Sequence, residues 1–271
     1  MIGRAPPYDK PLSFWPRPPQ AVEPYPVRVA ILTDIHSNLP ALEAVLAAID
    51  DAGLERRWCL GDVVGYGAQP DECAKLVSES CELSLVGNHD LAVTGEIGTD
   101  VFSASAAAAV EWTRANSEES TIEFLKGLKP DNTEQEVSLY HASPRDPVWE
   151  YVLAVDQARE CMEEQAGRVA LIGHSHVALW FSDGPGPPGG DGGGQAEGGR
   201  EVDISERRWL LNPGSVGQPR DGDPRAAWLE LDTDDWKATY RRIDYDIDKA
   251  AAAIREAGLP ELLADRLYVG Q

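Results

Sequence analysis

The sequence predicts an α/β fold, and two patterns predict it. Short apolar runs alternate with segments whose apolar residues recur at helical spacing, the rhythm of a sheet with helices packed on its faces. Five of the runs end in Asp, Asn or His, and ligands gather beyond the carboxyl ends of strands in such sheets. With 271 residues and 42% hydrophobic content the chain can bury one substantial core, so one large domain is expected rather than two small ones.

Residues 1–26 hold eight prolines beside short apolar words and are expected as an extended arm, with the domain itself over 27–271. The run 27–32 reads as a buried strand. The stretch LPALEAVLAAIDD at 39–51 has helical spacing and is stopped by Gly53. A strand at 58–60, a helix at 71–79 and a strand at 83–86 continue the alternation. Residues 103–128 read as two helices broken near Asn116 and Ser117, followed by strands at 137–140 and 169–172. VALWF before and RWLLN after the stretch 182–200 look like strands of a hairpin. The stretch itself, SDGPGPPGGDGGGQAEGGR, is expected as a flexible loop, because ordering so much glycine costs entropy that its few apolar atoms cannot return. Strands at 207–211, 226–231 and 236–243 complete the series, with less helix between them.

Forty-six acidic residues against 24 basic ones give a formal charge of −22, a surface that repels long nucleic acid and anionic membrane. No apolar run reaches spanning length, and the first residues lack the apolar core of a signal peptide, so a soluble cytoplasmic protein is expected. Cys59, Cys73, Cys81 and Cys161 show no CxxC pairing and are expected as free thiols. Nothing in the sequence sets an oligomeric state.

The strand ends carry the candidate chemistry. Asp34 and His36 stand two apart after the first run, a spacing that points both side chains one way in extended backbone. Asp62 follows the second run in a glycine-rich turn, and one carboxylate has two oxygens with which to bridge two cations. Asn88, His89 and Asp90 follow the third. Asn88 can offer a neutral oxygen to a hard cation, and Asp90 is a candidate to orient His89. His141 ends the 137–140 run, and His174 and His176 end the 169–172 run. Each motif alone is compatible with a turn or a helix cap. Together they hold all five histidines of the chain, none scattered over the acidic surface. The mixed nitrogen and oxygen set suits Mn²⁺, Fe, Zn²⁺, Ni²⁺ or Co²⁺ better than a structural thiolate zinc site.

In this order, DIH, GDVVGYG, GNHD, the strand-end His141 and GHSH resemble the five signature motifs of the calcineurin-like metallophosphoesterase superfamily, over residues 27 to about 243. The segment NPGSVGQPR at 212–220 resembles its small bacterial and archaeal phosphodiesterase-like branch. The resemblance implies a four-layer α/β/β/α sandwich with two central mixed sheets. It also implies two divalent metal ions, Mn²⁺ first among the candidates: Asp34, His36 and His176 on one, Asn88, His141 and His174 on the other, Asp62 bridging. His89 is then left unligated and faces the substrate.

Two such metals would lower the pKa of a bridging water for in-line attack on phosphorus, with His89 as general acid or stabiliser of the leaving side. Arg220 is the candidate phosphate clamp, since a guanidinium matches phosphate oxygens bidentately; a loop arginine paired with Asp221 or Asp223 is the competing reading. Asn38 and Ser215 are further candidates for contacts near the phosphate. The second motif lacks the acid and arginine of the GDxxDRG pattern usual in the superfamily's protein phosphatases, which points away from phosphoproteins. The expected partner is therefore a small phosphorylated molecule: a phosphodiester, phosphomonoester or phosphoanhydride, with nucleotides and dinucleoside polyphosphates foremost. The alternative is a scaffold or interaction protein of the same fold whose catalysis has decayed.

Overall fold

The first strand, β1 (Arg28–Leu32), shows why its sequence is an unbroken apolar run. Val29 and Ile31 pack inward among residues of a second sheet, Ala30 and Leu32 pack outward under a helix, and all four are fully buried. A strand covered on both faces has no polar side to alternate with. The computed structural model describes residues 28–133, 137–184 and 192–271; the arm expected over 1–26 and the segment 185–191 of the Gly/Pro-rich stretch lie outside the described residues.

From β1 the chain runs through α1 (Leu39–Asp51), β2 (Arg56–Cys59), α2 (Pro70–Ser80), β3 (Leu83–Ser84) and three helices, α3 (Asn88–Thr94), α4 (Ala104–Asn116) and α5 (Glu119–Lys126). It then forms β4 (Asp131–Asn132), β5 (Val137–Tyr140), α6 (Val155–Glu164), β6 (Val169–Leu171), β7 (Ala178–Ser182), β8 (Gly193–Gln195) and β9 (Glu201–Asp203). The strands β10 (Trp209–Pro213), β11 (Ala226–Asp232) and β12 (Lys237–Ile243) precede α7 (Ile247–Glu256), α8 (Glu261–Asp265) and a 3₁₀ turn (Arg266–Tyr268).

Two six-stranded mixed sheets result, ordered β3-β2-β1-β11-β12-β9 and β4-β5-β6-β10-β7-β8. Between them lies a core that includes Val29, Ile31, Leu60, Leu171, Trp180, Trp209, Leu211 and Leu229. Helix α1 covers the outer face of the first sheet through Leu42, Val45 and Ile49, and α6 covers that of the second through Ala158, Cys161 and Met162. This is the expected four-layer sandwich. The parallel runs β3-β2-β1 and β5-β6 place the ends of five chain segments along one edge of the two sheets.

The break between the paired helices falls at Ser117, and Ser103 caps α4 by accepting a hydrogen bond from the Ala106 N–H at 3.3 Å. The hairpin expected around the glycine-rich stretch is present as the antiparallel pair β7–β10. Its connection is more than a loop: β8 adds to the edge of β7, and β9 crosses to the far edge of the other sheet beside β12. A strand pairs through its main chain, so glycine-rich composition weakens β8 without preventing it. Helices α3, α6, α7 and α8 add to the elements read from sequence. All four cysteines are free thiols, and no helix among the described residues is long and apolar enough to cross a membrane.

Candidate metal centre

Several of the candidate side chains leave their strands on strained turns. Asp34, His36, Ser37, Asp62, Tyr66, His174 and His176 all have φ between 51° and 63°, and only Arg207 and Trp236 share this left-handed conformation among the other described non-glycine residues. Such conformers cost on the order of 1–3 kcal/mol each and persist where the surroundings over-determine them. Main-chain bonds between the turns do that here: the Asp34 N–H donates to Gly61 O, the Ile35 and His36 N–H groups to Asp62 O, and the Gly217 N–H to Asp34 O. Two glycines let the turns close. A Cβ at Gly87 would lie 2.0 Å from Asp62 Oδ1, and one at Gly173 would lie 2.1 Å from Thr33 Oγ1.

The turns bring seven candidate residues together in two groups. Ligand atoms of Asp34, His36, Asp62 and His176 fall within 4.8 Å of one another, as do those of Asp62, His141 and His174. Asn88 Oδ1 joins the second group at 3.3 Å from His141 Nε2. Asp62 belongs to both: its Oδ2 is 3.5 Å from His36 Nε2 and 3.5 Å from His141 Nε2, while its Oδ1 accepts the His89 main-chain N–H at 2.9 Å. All of these residues are buried.

The donor chemistry fits divalent cations. His36 Nδ1 donates to Val64 O at 3.0 Å and His176 Nδ1 to Gln218 O at 2.6 Å, which leaves both Nε2 atoms bearing lone pairs, and these face each other at 3.1 Å. In the second group His141 Nδ1 donates to Leu60 O at 2.9 Å, so its Nε2 lone pair faces the Asn88 oxygen; His174 Nε2 has no partner at all. Lone pairs aimed at lone pairs in a buried site are repulsive unless a cation lies among them. Titration points the same way. Burial pushes His36, His174 and His176 well below the usual histidine range, keeping them neutral as metal ligation requires. Burial also pushes the Asp34 carboxyl up to about 7 and raises Asp62, to which the Asp90 charge contributes. Two buried carboxylates whose ionised forms are this costly call for nearby positive charge.

His89 is buried with an unpartnered Nδ1, its ring 4.3 Å from Tyr66, 4.8 Å from His36 and 4.9 Å from Phe102 between centroids. Asp90 does not orient it. Its carboxylate accepts the main-chain N–H groups of Val63 at 3.2 Å, Val64 at 3.0 Å and Gly87 at 3.0 Å, tying the second and third turns together. Asn38 and Ser215 are likewise structural rather than substrate-facing. Asn38 caps α1 through Oδ1 and donates to Gly217 O at 2.7 Å, and Ser215 donates to Asp34 O while accepting from the Gln218 N–H, both at 2.8 Å. Every polar atom of those two side chains is spent inside the protein.

Arg220 stands differently. Asp221 pairs with Arg242 and Asp223 with Arg225, so the competing reading of Arg220 as a loop ion pair does not hold. Its guanidinium lies 5.5 Å from the Tyr66 ring centre, its Nη2 donates to Gln218 Oε1 at 3.0 Å, and its Nε is buried without a partner. Sequence reasoning overlooked the aromatic walls. Tyr66, inside the GDVVGYG motif, lies 4.6 Å from the His36 ring, and Tyr151 lies 4.1 Å from that of His174. It also overlooked Gln218 and Arg266; Tyr66 was signalled by its motif, whereas a lone arginine near the end of a chain signals nothing.

Comparison with known proteins agrees with this geometry. Residues 27–234 match the calcineurin-like phosphoesterase superfamily domain. An uncharacterised protein of Methanocaldococcus jannaschii is 38% identical over 248 residues, 90% of this chain and 98% of that one. A solved metallophosphoesterase from Sphaerobacter thermophilus superposes with a TM-score of 0.82 at 36% identity, covering 91% of this chain and all of the other. A hypothetical protein of Pyrococcus horikoshii shares the fold, with a TM-score of 0.72 at 18% identity over 90% of this chain and 99% of the other. The chain belongs to the calcineurin-like phosphoesterase superfamily.

Proposed function

We propose that this protein is a dinuclear metal-dependent phosphoesterase acting on a small phosphorylated molecule, with nucleotides and dinucleoside polyphosphates the leading candidates. The observation that carries the reading is the pair of opposed Nε2 lone pairs of His36 and His176 beside a shared Asp62. Asp34, His36 and His176 would hold one cation, Asn88, His141 and His174 the other, and Asp62 both. Mn²⁺ is our first candidate, with Fe, Zn²⁺, Ni²⁺ and Co²⁺ open to the same donors. When bound, the ions supply Lewis acidity toward the phosphoryl oxygens and a water of lowered pKa.

The chain's own residues do the rest. The His89 main-chain N–H fixes Asp62 Oδ1, so Oδ2 keeps its orientation between the two groups. The His89 ring, neutral because burial holds it well below the usual range, offers a proton donor to the charge that develops on the leaving oxygen. Arg220 carries a fixed positive charge at the cleft and a free buried Nε, and in this reading it grips the phosphate. Tyr66 and Tyr151 close over the rings of His36 and His174 and limit water around them.

The test is hydrolysis by chelator-stripped protein, with Mn²⁺ restored, of a chromogenic phosphodiester, its monoester counterpart and a dinucleoside tetraphosphate. We expect metal-dependent turnover of at least one. Failure with all three, while metal still binds, would replace the enzyme with a scaffold of the same fold.

A further inference from the structure

The C-terminal segment brings a second guanidinium beside Arg220. Arg266, in the 3₁₀ turn that follows α8, donates from Nη1 to Gln218 Oε1 at 3.2 Å, the same oxygen that receives Arg220 Nη2 at 3.0 Å. Two cations thus share one neutral amide oxygen. The carboxylates that neighbour them in sequence are committed elsewhere: Asp221 to Arg242, Asp223 to Arg225 at 2.7 Å and Asp265 to Arg255 at 2.8 Å. Arg266 Nε is taken by the main-chain oxygen of Gln271 at 2.5 Å, and no side-chain carboxylate pairs with either guanidinium among the described residues.

Like charges held this close are unfavourable by themselves. The Arg266 guanidinium is pushed below the usual arginine range by burial and by the Arg220 charge. The Arg220 guanidinium lies 5.5 Å from the Tyr66 ring centre, and Tyr66 packs against the His36 ring, so the arginine pair borders the candidate metal centre. A protein with 46 acidic residues that, among the described residues, sets no side-chain carboxylate against two half-buried arginines keeps positive potential in reserve for an anion. Arg220 is half-buried with its Nε buried and unsatisfied, an atom placed to donate to something the protein does not supply.

We propose that Arg220 and Arg266, bridged by Gln218, form a subsite for a second anionic group next to the scissile phosphate, so that the substrate carries two adjacent phosphates. This rests on the phosphoesterase reading and narrows it to phosphoanhydrides or polyphosphorylated molecules. One phosphate lies at the metal centre within reach of Arg220, and its neighbour lies between the two guanidiniums. Residues 27–234 carry the family match, whereas Arg266 arrives on a segment beyond it, through α7 and α8.

Calorimetric titration of the Mn²⁺-loaded full chain with imidodiphosphate, a non-hydrolysable P–N–P anion, and with orthophosphate tests the subsite without relying on turnover. We expect the diphosphate analogue to bind at least ~10-fold tighter, the increment of one more charge-assisted contact. In Arg266→Gln the preference should fall to about twofold or less, and Arg266→Lys, which keeps the charge but not the fork, should retain part of it. Equal binding of the two anions by the wild-type protein overturns the proposal, as does a preference that survives Arg266→Gln. Steady-state kinetics separate the two readings. Turnover of phosphoesters with no diphosphate preference removes the subsite alone, whereas a preference without turnover removes the phosphoesterase reading alone.

Discussion

His36 Nε2 and His176 Nε2 stand 3.1 Å apart with no hydrogen available to either, because each ring has committed its Nδ1 proton to a main-chain carbonyl. The two rings come from turns 140 residues apart in sequence. Neither imidazole gains from the other, so the contact is stable only through a third body that accepts both lone pairs.

Removing that body should cost stability, and the cost should grow with pH. The Asp34 carboxyl is raised from 3.8 to about 7 in the metal-free fold, so the stability contributed by its protonated form is lost as pH rises through 7. The buried histidines run the other way. Their folded values lie well below 6.5, so the stability they contribute is present above 6.5 and falls away in acid, where protons also compete with cations for the rings. Between pH 6 and pH 8 the histidines are already neutral in the fold, so the Asp34 trend decides, and the gap in Tm between Mn²⁺-loaded and chelated protein widens over that range. Thermal melts at pH 6, 7 and 8 would contradict this if the gap were constant or shrank.

Asp62→Asn keeps the side-chain volume and can keep the oxygen that accepts the His89 N–H, yet it removes the charge that faces both histidine groups. Metal content should drop below two ions per chain, and kcat/KM should fall more than about 100-fold. Elemental analysis of the purified variant beside its kinetics checks both; two retained ions with near-normal rate would exclude a bridging role.

His89→Ala separates chemistry from metal binding, since the His89 ring belongs to neither ligand group. We expect two ions per chain and a kcat lowered by roughly 10²–10³-fold, the range for a lost hydrogen-bond donor to developing charge. An unchanged kcat would leave His89 as a packing residue against Tyr66 and Phe102.

Asp90→Ala should act on folding before it acts on rate. It strips the acceptor from the main-chain N–H groups of Val63, Val64 and Gly87, all in buried turns. Urea unfolding of the chelated protein should show a loss of about 2–4 kcal/mol, since buried donors left unpaired forfeit their full desolvation cost. A loss under about 0.5 kcal/mol would mean that the turns hold their shape without it.

Much of this was legible in the sequence because it is written in local patterns. The continuous apolar run of β1 announces burial on both faces, and polar residues at five strand ends announce convergence on one edge. Six of the side chains that the resemblance named fall in two clusters that share Asp62. What misled was residue type without partners. Asn38, Ser215 and Asp90 are polar residues near phosphate-like motifs, but their hydrogen bonds run inward to N–H and carbonyl groups of neighbouring turns, and sequence spacing does not say where a side chain spends its bonds. Gln218 and Arg266 were missed for the converse reason: they meet only in three dimensions, 48 residues apart. The strand β8 was hidden because main-chain pairing leaves no trace in a glycine-rich stretch.

Asp34, His36, Asp62 and Asn88 follow strands of the first sheet, whereas His141, His174 and His176 follow strands of the second. Neither half of the chain owns the centre. A fragment ending before β5 would carry the acids with one ligand imidazole, and the remainder would carry three imidazoles with none of the predicted acids, so neither could assemble the set. Full metal loading is therefore a readout of the two sheets having closed on each other, and it can serve as a folding assay for any truncated, permuted or redesigned form of the sandwich.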